Sequence, residues 1–282
     1  MKTKIKEILC AISPEFTTKL MFLHNFHKRL NLKNPVDFNE KMQYLKLKEY
    51  TGNPVITRCV DKYRARGYLE ERGYSHLLPE LLAGPYVDPE EIRKDWDNLP
   101  DRFAIKCNHA SGSNIIVQDK SAMDLDQVVA QLKKWIKQDY WKVYCEPQYR
   151  DVPKRVIVEE YLGDCLPAFK FYCFHGKPEF LLYADYHDDH SITYFDMDFQ
   201  KLPYSKVGCG QVENLEKPKR FDEMVEISKD LAKDFPFVRV DFYNVDDKPY
   251  FSELTFVPQG GIIKLNPPET VIEWGNLLNI NK

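Results

Sequence analysis

Charged residues alternate with apolar residues in the segment VRVDFYNVDDKPYFSEL, residues 238–254. The pattern predicts two strands joined by a turn, with Arg239 and Asp241 on one face and Glu253 on the return strand. We expect Asp241 and Glu253 to be near neighbours, although two facing carboxylates repel each other. A Mg²⁺ ion would remove this repulsion, because it commonly uses one or two carboxylates together with substrate phosphates. The alternative is a solvated sheet face with an ordinary salt bridge.

A second candidate segment, FAIKCNHASGSN (103–114), places a lysine late in a predicted strand and follows it with small polar residues. Lys106 would supply positive charge, and Arg239 would hold a phosphate oxygen through two N–H groups. The loop would let backbone N–H groups approach the phosphates of a nucleotide. The segment lacks the GxxxxGK[ST] pattern, which excludes a Walker-type phosphate loop. The loop residues expected to bind nucleotide are His109, Ser111, Gly112 and Ser113.

A third segment, RVIVEEYLG (155–163), predicts a buried strand that ends in polar residues before Gly163. Backbone groups at such a strand end would bind the edge of an adenine ring. The alternative is a strand that simply ends at the surface. The residues at this end are Glu159, Glu160, Tyr161 and Leu162.

The elements around these segments predict an α+β protein with antiparallel sheets, because strands joined as hairpins are mixed with helices. Residues 1–98 are expected to be mainly helical, with loops and short elements over 78–92. Near the N-terminus, the helical spacing of Ile5, Ile8, Leu9 and Ile12 predicts a helix docked by its apolar stripe. Further along, the predicted elements are helices at 38–51, 55–73, 125–141 and 220–235, and hairpins at 102–120, 169–186 and 238–254.

The composition narrows the class of protein. The chain has 282 residues and a formal net charge of −3, which argues against nucleic acid as the main partner. It contains no apolar run of the roughly 20 residues that a membrane span needs. The apolar stretch near the N-terminus is too short for a signal peptide. The seven cysteines are scattered without a CxxC pair, so neither zinc nor a disulfide framework is indicated. We therefore expect a cytoplasmic protein with free thiols.

The order of lysine loop, E-E-Y-L segment and R-x-D…E hairpin resembles the ATP-grasp superfamily. More narrowly, segments across residues 34–261 resemble the TupA-like ATP-grasp family, which is named for teichuronopeptide biosynthesis and is found in bacterial surface-polysaccharide gene clusters. The resemblance implies two α+β subdomains whose antiparallel sheets grip ATP. It places a mainly helical region at 1–98, a lid subdomain with the phosphate loop at 99–163, and a subdomain with the metal-binding hairpin at 164–282.

The resemblance also implies roles for individual residues, with ATP and Mg²⁺ as cofactors. Lys62 and Lys106 match the two ATP lysines, residues 109–114 match the flexible lid, and Glu160 and Leu162 match the adenine hinge. Thr255 stands where many relatives have an asparagine that is a third metal ligand, and its hydroxyl would be a weaker ligand at this position. Lys170 would either point to the phosphates or lie along the surface. The remaining implied roles are Mg²⁺ ligation by Asp241 and Glu253 and phosphate contact by Arg239.

The activity that the resemblance implies is an ATP-dependent carboxylate–amine ligase that forms an amide through an acyl phosphate. Its substrates would be a uronic acid or polymer carboxylate and an amino acid or small amine, in bacterial capsule or surface-polysaccharide biosynthesis. A peripheral association with a polysaccharide assembly complex stays open.

Two other classes remain as alternatives. A glycosyltransferase would bind a nucleotide sugar through a D-x-D pair such as Asp196 and Asp198, and a non-catalytic protein would only bind ATP.

Two further segments are candidates for substrate binding. In the segment HDDH, His187 and His190 flank two aspartates, and the segment is either a metal cluster, a substrate contact or an ordinary polar loop. After the hairpin, Gln259 or Lys264 would bind a substrate carboxylate, or the segment is a plain loop.

Overall fold

The computed structural model describes residues 3–187 and 190–280. A π-helical turn at Leu45–Tyr50 continues the third helix, and short 3₁₀ segments connect the other elements. None of the helices described is long and apolar enough to cross a membrane. The α-helices are α1 (Thr3–Ile12), α2 (Pro14–Phe26), α3 (Phe38–Tyr44), α4 (Pro54–Val60), α5 (Arg64–Glu70), α6 (Leu125–Ile136), α7 (Phe221–Ala232) and α8 (Thr270–Leu277).

The strands form two main antiparallel sheets, which confirms the α+β class. The first sheet has the order β1-β4-β2-β3, the second has the order β10-β9-β5-β6-β7, and β8 and β11 form a small ribbon. The strands are β1 (Leu81–Tyr86), β2 (Phe103–Cys107), β3 (Asn114–Val117), β4 (Val156–Glu160), β5 (Ala168–Phe174), β6 (Lys177–Asp185), β7 (Ser191–Phe195), β8 (Ser205–Lys206), β9 (Phe237–Val245), β10 (Lys248–Thr255) and β11 (Leu265–Asn266).

Each main sheet has its own hydrophobic core. Helix α6 begins at the N-cap Asp124 and buries Val128, Val129 and Leu132 in the core of the first sheet. The second sheet packs against α7 on one side, and its larger core also takes in residues from α3, α4, α5 and α8. Two separate cores leave a cleft between the sheets.

Two predicted elements differ from the structure in ways that matter for the cleft. Residues 81–86, expected to be loop, form β1, so the first sheet begins before residue 99. The single helix expected over 55–73 is two helices, because Asp61 is extended (φ −81°, ψ 109°) and its carboxylate accepts hydrogen bonds from the N–H groups of Tyr63 and Arg64. This break turns Lys62 out of the helix.

The N-terminal helix docks by a different face from the one its apolar spacing predicts. Ile5, Ile8 and Ile12 are exposed, whereas Cys10 is buried with its Sγ 2.9 Å from the Sγ of Cys145. Helix α1 therefore rests on the segment that follows α6, and its isoleucine stripe faces solvent.

Candidate active site

The cleft between the sheets consists of three cavities that share wall residues. The central cavity has a volume of about 190 Å³. It shares Lys106, Tyr186 and Tyr243 with an inner cavity of about 200 Å³ beside the end of β4. On the other side it shares Lys62 and Glu253 with an outer chamber of about 610 Å³. The three cavities therefore adjoin one another along a path from the strand end to the chamber.

A β-bulge sets the geometry of the acidic hairpin. The turn residues Asp246 and Asp247 both have positive φ angles, as a two-residue hairpin turn requires. Pairing shifts by one residue between Phe251 and Glu253, so Glu253 stands directly opposite Asp241. The expected closeness of the two carboxylates is confirmed.

Arg239 neutralises both acids of this pair. Its guanidinium donates to the two carboxylate oxygens of Asp241 at 2.7 Å and 2.6 Å, and one nitrogen also contacts Glu253 Oε1 at 3.4 Å. Lys170, on β5, donates to Asp241 Oδ2 at 3.0 Å. Because Asp241 is fully buried, these two cations are what makes its charge tolerable.

Glu253 is the more accessible of the two acids and is also ionised. The hydroxyl of Thr255 donates to its Oε1 at 3.0 Å, and Lys62 Nζ lies 3.8 Å from its Oε2. Burial acts to raise the pKa of Glu253, but Lys62, Lys170 and Arg239 outweigh burial and lower the pKa to about 2. Near neutral pH the residue is therefore an anion that faces the central cavity and the chamber.

The oxygen donors at this hairpin match what Mg²⁺ prefers, with one difference between the two acids. Glu253 presents carboxylate oxygens to the cleft, and Thr255 adds a hydroxyl. Asp241 has both oxygens engaged by Arg239 and Lys170, so it would bind a metal ion only by exchanging a hydrogen bond for it. Glu253 fits as a ligand directly, and Asp241 fits if Lys170 turns towards a phosphate.

Lys106 lies on the opposite wall of the central cavity, on β2. It donates to Glu159 Oε2 at 2.7 Å, and Arg66 donates to the other oxygen of the same carboxylate at 2.9 Å. Burial acts to lower the pKa of Lys106, but the charge of Glu159 outweighs it and leaves the pKa raised. The amine is thus a cation at neutral pH, and the side chain of Glu159 orients it. The nucleotide contact expected of Glu159 stays a prediction.

The loop after β2 closes over the central cavity from one side. Ser111, Gly112 and Ser113 line this cavity, and Gly112 has a φ of +71°, which a residue with a side chain rarely adopts. Lys62 Nζ donates to the carbonyl oxygen of Ala110 at 2.7 Å and so ties the loop to the break between α4 and α5.

His109 differs from the other residues of the loop in its surroundings. Its side chain is buried. Within the described residues it lines none of the three cavities, whereas the loop residues that follow it line the central cavity. Burial, together with Lys154, lowers the pKa of the imidazole to about 4, so the ring is neutral near pH 7. In this arrangement the ring of His109 packs inside the protein, and its contact with nucleotide stays a prediction.

The end of β4 supplies the inner cavity. Glu160 and Leu162 line it, as does Ala104 from β2. The side chain of Tyr161 turns away, with its hydroxyl on Asp164 and its ring against Arg102, so only its backbone could serve as hinge. Within residues 3–187 and 190–280, Leu162 has no hydrogen bond from its backbone N–H to another backbone group. That N–H is free for a ligand with an acceptor edge.

The remaining candidate residues lie elsewhere or are only partly described. Asp196 accepts hydrogen bonds from the N–H groups of Asp198 and Gln200 in a turn, so the D-x-D pair shapes a turn outside the cleft. Of the segment HDDH, His190 lines the outer chamber, whereas Asp188 and Asp189 lie outside the described residues. Gln259 lines the same chamber, and Lys264 does not.

Tyr186 and Glu146 line the cleft and were not singled out in the sequence analysis. Tyr186, which follows β6, lines all three cavities and sits beside Lys170, whose Nζ is 5.8 Å from the ring centre. Glu146, in the connection between α6 and β4, lines the outer chamber. A lone tyrosine after a strand and a lone glutamate in a loop carry no spacing signal, which is why neither stood out.

Comparison with protein families identifies the chain. A family model described as TupA-like ATPgrasp matches residues 40–279, which is most of the sequence, and the protein therefore belongs to the TupA-like ATP-grasp family. No curated protein sequence matches the chain significantly.

Solved structures of ligases are similar to the chain at low identity. D-alanine–D-alanine ligase from Bacillus anthracis shares 17% identity over 71% of this chain and 57% of its own, with a TM-score of 0.41. The corresponding ligase from Helicobacter pylori is 12% identical to the chain, with a TM-score of 0.44. The match covers 87% of this chain and 70% of that ligase. Phosphoribosylamine–glycine ligase from Thermotoga maritima is 13% identical to the chain, with a TM-score of 0.44. The match covers 78% of this chain and 55% of that ligase. The chain spans 44–57% of the first three structures it matches.

Proposed function

We propose that the protein is an ADP-forming carboxylate–amine ligase that uses ATP and Mg²⁺. The observation that carries the proposal is the arrangement of the cations: Lys62, Lys106 and Lys170 surround a central cavity, and Arg239 lines the adjoining outer chamber. The central cavity adjoins the hinge on one side and this chamber on the other. A triphosphate needs this distribution of charge in its middle, with a base pocket at one end and an acceptor at the other.

The residues take roles along this path. Adenine would bind at the inner cavity through the backbone of Glu160 and Leu162, with Lys106 and the loop at Ser111–Ser113 on the phosphates. The sheet β1-β4-β2-β3 and its loop would act as the lid over the C-terminal subdomain. Lys62 would release Ala110 and turn to the transferring phosphoryl group.

The hairpin would hold the metal ion. Glu253 and Asp241 would be its carboxylate ligands and Thr255 an additional oxygen, and the ion would neutralise charge on the phosphates. Arg239 and Lys170 would then be shared between Asp241 and the phosphate oxygens. The side chains of the protein would orient the substrates and neutralise the phosphate charge, and no protein nucleophile is required.

The outer chamber would hold the carboxylate and the amine. It is lined by tyrosines and by groups of both charges, which suits a polar substrate such as a sugar acid. We place the reaction in bacterial capsule or surface-polysaccharide biosynthesis, acting in the cytoplasm on a uronic acid or polymer carboxylate and an amino acid or small amine. A peripheral association with the assembly complex would bring the acceptor to the chamber.

The test is a screen for substrate-dependent ADP release. Uronic acids and their nucleotide-linked forms are incubated with ATP, Mg²⁺ and either hydroxylamine or a panel of amino acids and small amines. We expect ADP, phosphate and a hydroxamate or amide in equal amounts. Sugar transfer from a nucleotide sugar without ATP consumption would instead establish a glycosyltransferase, and ATP binding with no carboxylate-dependent turnover would leave a binding protein.

A further inference from the structure

Glu146 differs from the other buried acids of the described chain in its partners. Among these, Glu40, Glu159 and Asp241 each form an ion pair within 3.0 Å of a lysine or arginine nitrogen. Asp61 accepts three hydrogen bonds instead, from Asn108 and two backbone N–H groups. Glu146 accepts a single side-chain hydrogen bond, from Gln148 at 3.3 Å, and forms no ion pair within 4.0 Å in the part of the chain described.

Lys46 acts on the charge of Glu146 but does not provide the missing ion pair. Lys46 is fully buried, and its Nζ donates to the carbonyl oxygen of Gly260 at 3.3 Å. Burial lowers the pKa of Lys46, and the hydrogen bond of its Nζ goes to this carbonyl oxygen and not to Glu146. A buried carboxylate without a close cation costs several kcal/mol, so a ligand that supplies the cation would gain from the site.

The position of Glu146 points to the kind of ligand. The residue is only 5% exposed, yet it is part of the wall of the outer chamber, together with Glu253 and Arg239. The chamber thus has a buried carboxylate in the same wall as the residues proposed to surround the reacting phosphoryl group. Burial and the charge of Glu253 raise the pKa of Glu146 to about 7 even with Lys46 nearby, so the group can also exchange a proton near neutral pH.

We propose that Glu146 binds the ammonium group of the amine substrate in the outer chamber and takes up the first proton that this group loses. The inference rests on the proposed ligase function and assigns the amine to one wall of the chamber. The ammonium gives one proton to the carboxylate, and the nitrogen lone pair then attacks the acyl carbon. The C–N bond forms, the C–O bond to the phosphate breaks, and the second nitrogen proton leaves with the phosphate.

The test separates amine binding from acyl phosphate formation. Hydroxylamine is largely uncharged near neutral pH and traps an acyl phosphate as a hydroxamate, so it does not need an ammonium site. With the carboxylate and amine found by the screen, Glu146→Gln should raise the KM for the amine by at least about tenfold, leave the KM for ATP unchanged and retain hydroxamate formation. Glu146→Asp keeps the charge but withdraws it by one methylene, and should raise the amine KM less.

The matched control is Asp185→Asn, which removes another acid from the wall of the same chamber. It should leave the amine KM unchanged. An unchanged amine KM in Glu146→Gln, an equal loss of the hydroxylamine reaction, or the same effect in Asp185→Asn would overturn the inference while the ligase function stands. If Glu146→Gln fails to fold, the split between amine and hydroxylamine in Glu146→Asp decides. Absence of hydroxamate with the wild-type protein would overturn the ligase function, and the inference with it.

Discussion

Lys170 and Asp241 face each other from neighbouring strands, β5 and β9, with Nζ 3.0 Å from Oδ2. The same carboxylate is held by the fork of Arg239, so two cations share one buried anion. Without nucleotide, the acids expected to bind a metal ion are therefore already neutralised by the protein. Ligand binding would exchange these contacts for contacts to phosphate and metal, which links the stability of the hairpin to its function.

Removal of the Asp241 charge should cost stability as well as activity. Asp241→Asn leaves Arg239 and Lys170 buried beside a neutral amide, and we expect a loss of about 3 kcal/mol or more in the free energy of unfolding. Urea denaturation measures this loss. The control Asp198→Asn changes an exposed turn residue and should cost well under half as much. Equal effects of the two substitutions would contradict the buried network.

The depressed pKa of Glu253 predicts a pH dependence of stability. A carboxylate whose folded-state pKa is about 2, against an ordinary value of 4.5, stabilises the folded protein above pH 4.5. This contribution is lost as the pH falls from 4.5 towards 2. Glu253→Gln should therefore flatten the decline of the unfolding free energy over that range, as measured by denaturation at a series of pH values.

A second residue gives an internal comparison for this measurement. The pKa of Glu15 is also lowered to about 2, through hydrogen bonds from Lys19 and Lys48 at the surface. Glu15→Gln should also flatten the decline of the unfolding free energy over this pH range. Added salt should make this effect smaller, since ion pairs at the surface are screened. If the unfolding free energy of Glu253→Gln declined with pH as steeply as that of the wild-type protein, Glu253 would not be held ionised by its neighbours.

Lys106→Met should weaken ATP binding by about tenfold to a hundredfold, because hydrogen bonds to charged groups contribute about 1.5–3 kcal/mol. Glu159 keeps Arg66 as its partner in this variant, so the fold should survive. Calorimetric titration with ATP and Mg²⁺ gives the affinity. The control Lys134→Met removes an exposed lysine of α6 and should not change it. Equal affinity for ATP in both variants would place the phosphates elsewhere.

The loop at residues 109–114 should become more protected when nucleotide binds. In its absence the loop is held by Lys62 through Ala110, so Lys62→Met should make it more accessible even without ATP. Amide hydrogen exchange reports both effects residue by residue. Identical exchange of this loop with and without ATP would remove it from the nucleotide site.

The sequence predicted the acidic hairpin well because strand alternation places every second residue on one face. It could not specify the bulge after Phe251, which moves Glu253 from near Asp241 to directly opposite it. The position of such a bulge depends on how the hairpin packs, and no residue of the pattern marks it. The strand β4 and its end at Glu160 were predicted for a similar reason, since a buried strand that ends in polar residues has a clear boundary; adenine binding at this end stays a prediction.

The errors occurred where tertiary contacts override local preference. Strand β1 contains Gly84 and Pro85, which disfavour a strand, but it lies at the edge of the sheet, where proline is tolerated. The break at Asp61 is stabilised partly by Asn108, a partner 47 residues away that the helical pattern cannot reveal. The burial of the His109 ring is likewise a tertiary effect that its small polar neighbours in the sequence do not indicate.

The fate of the carboxylate oxygen distinguishes the two ways in which ATP can activate an acid. An acyl phosphate arises by attack of the carboxylate on the γ-phosphorus, whereas an acyl adenylate arises by attack on the α-phosphorus. The cations of the proposed site, Lys62, Lys170 and Arg239, lie on the side of the central cavity that opens to the outer chamber, away from the hinge. Charge is therefore neutralised where γ-phosphoryl transfer develops it. With a carboxylate labelled with ¹⁸O, we expect one labelled oxygen in inorganic phosphate and one ADP for each amide, as measured by mass spectrometry. Label in AMP, with pyrophosphate released, would show that the acid is activated as an adenylate.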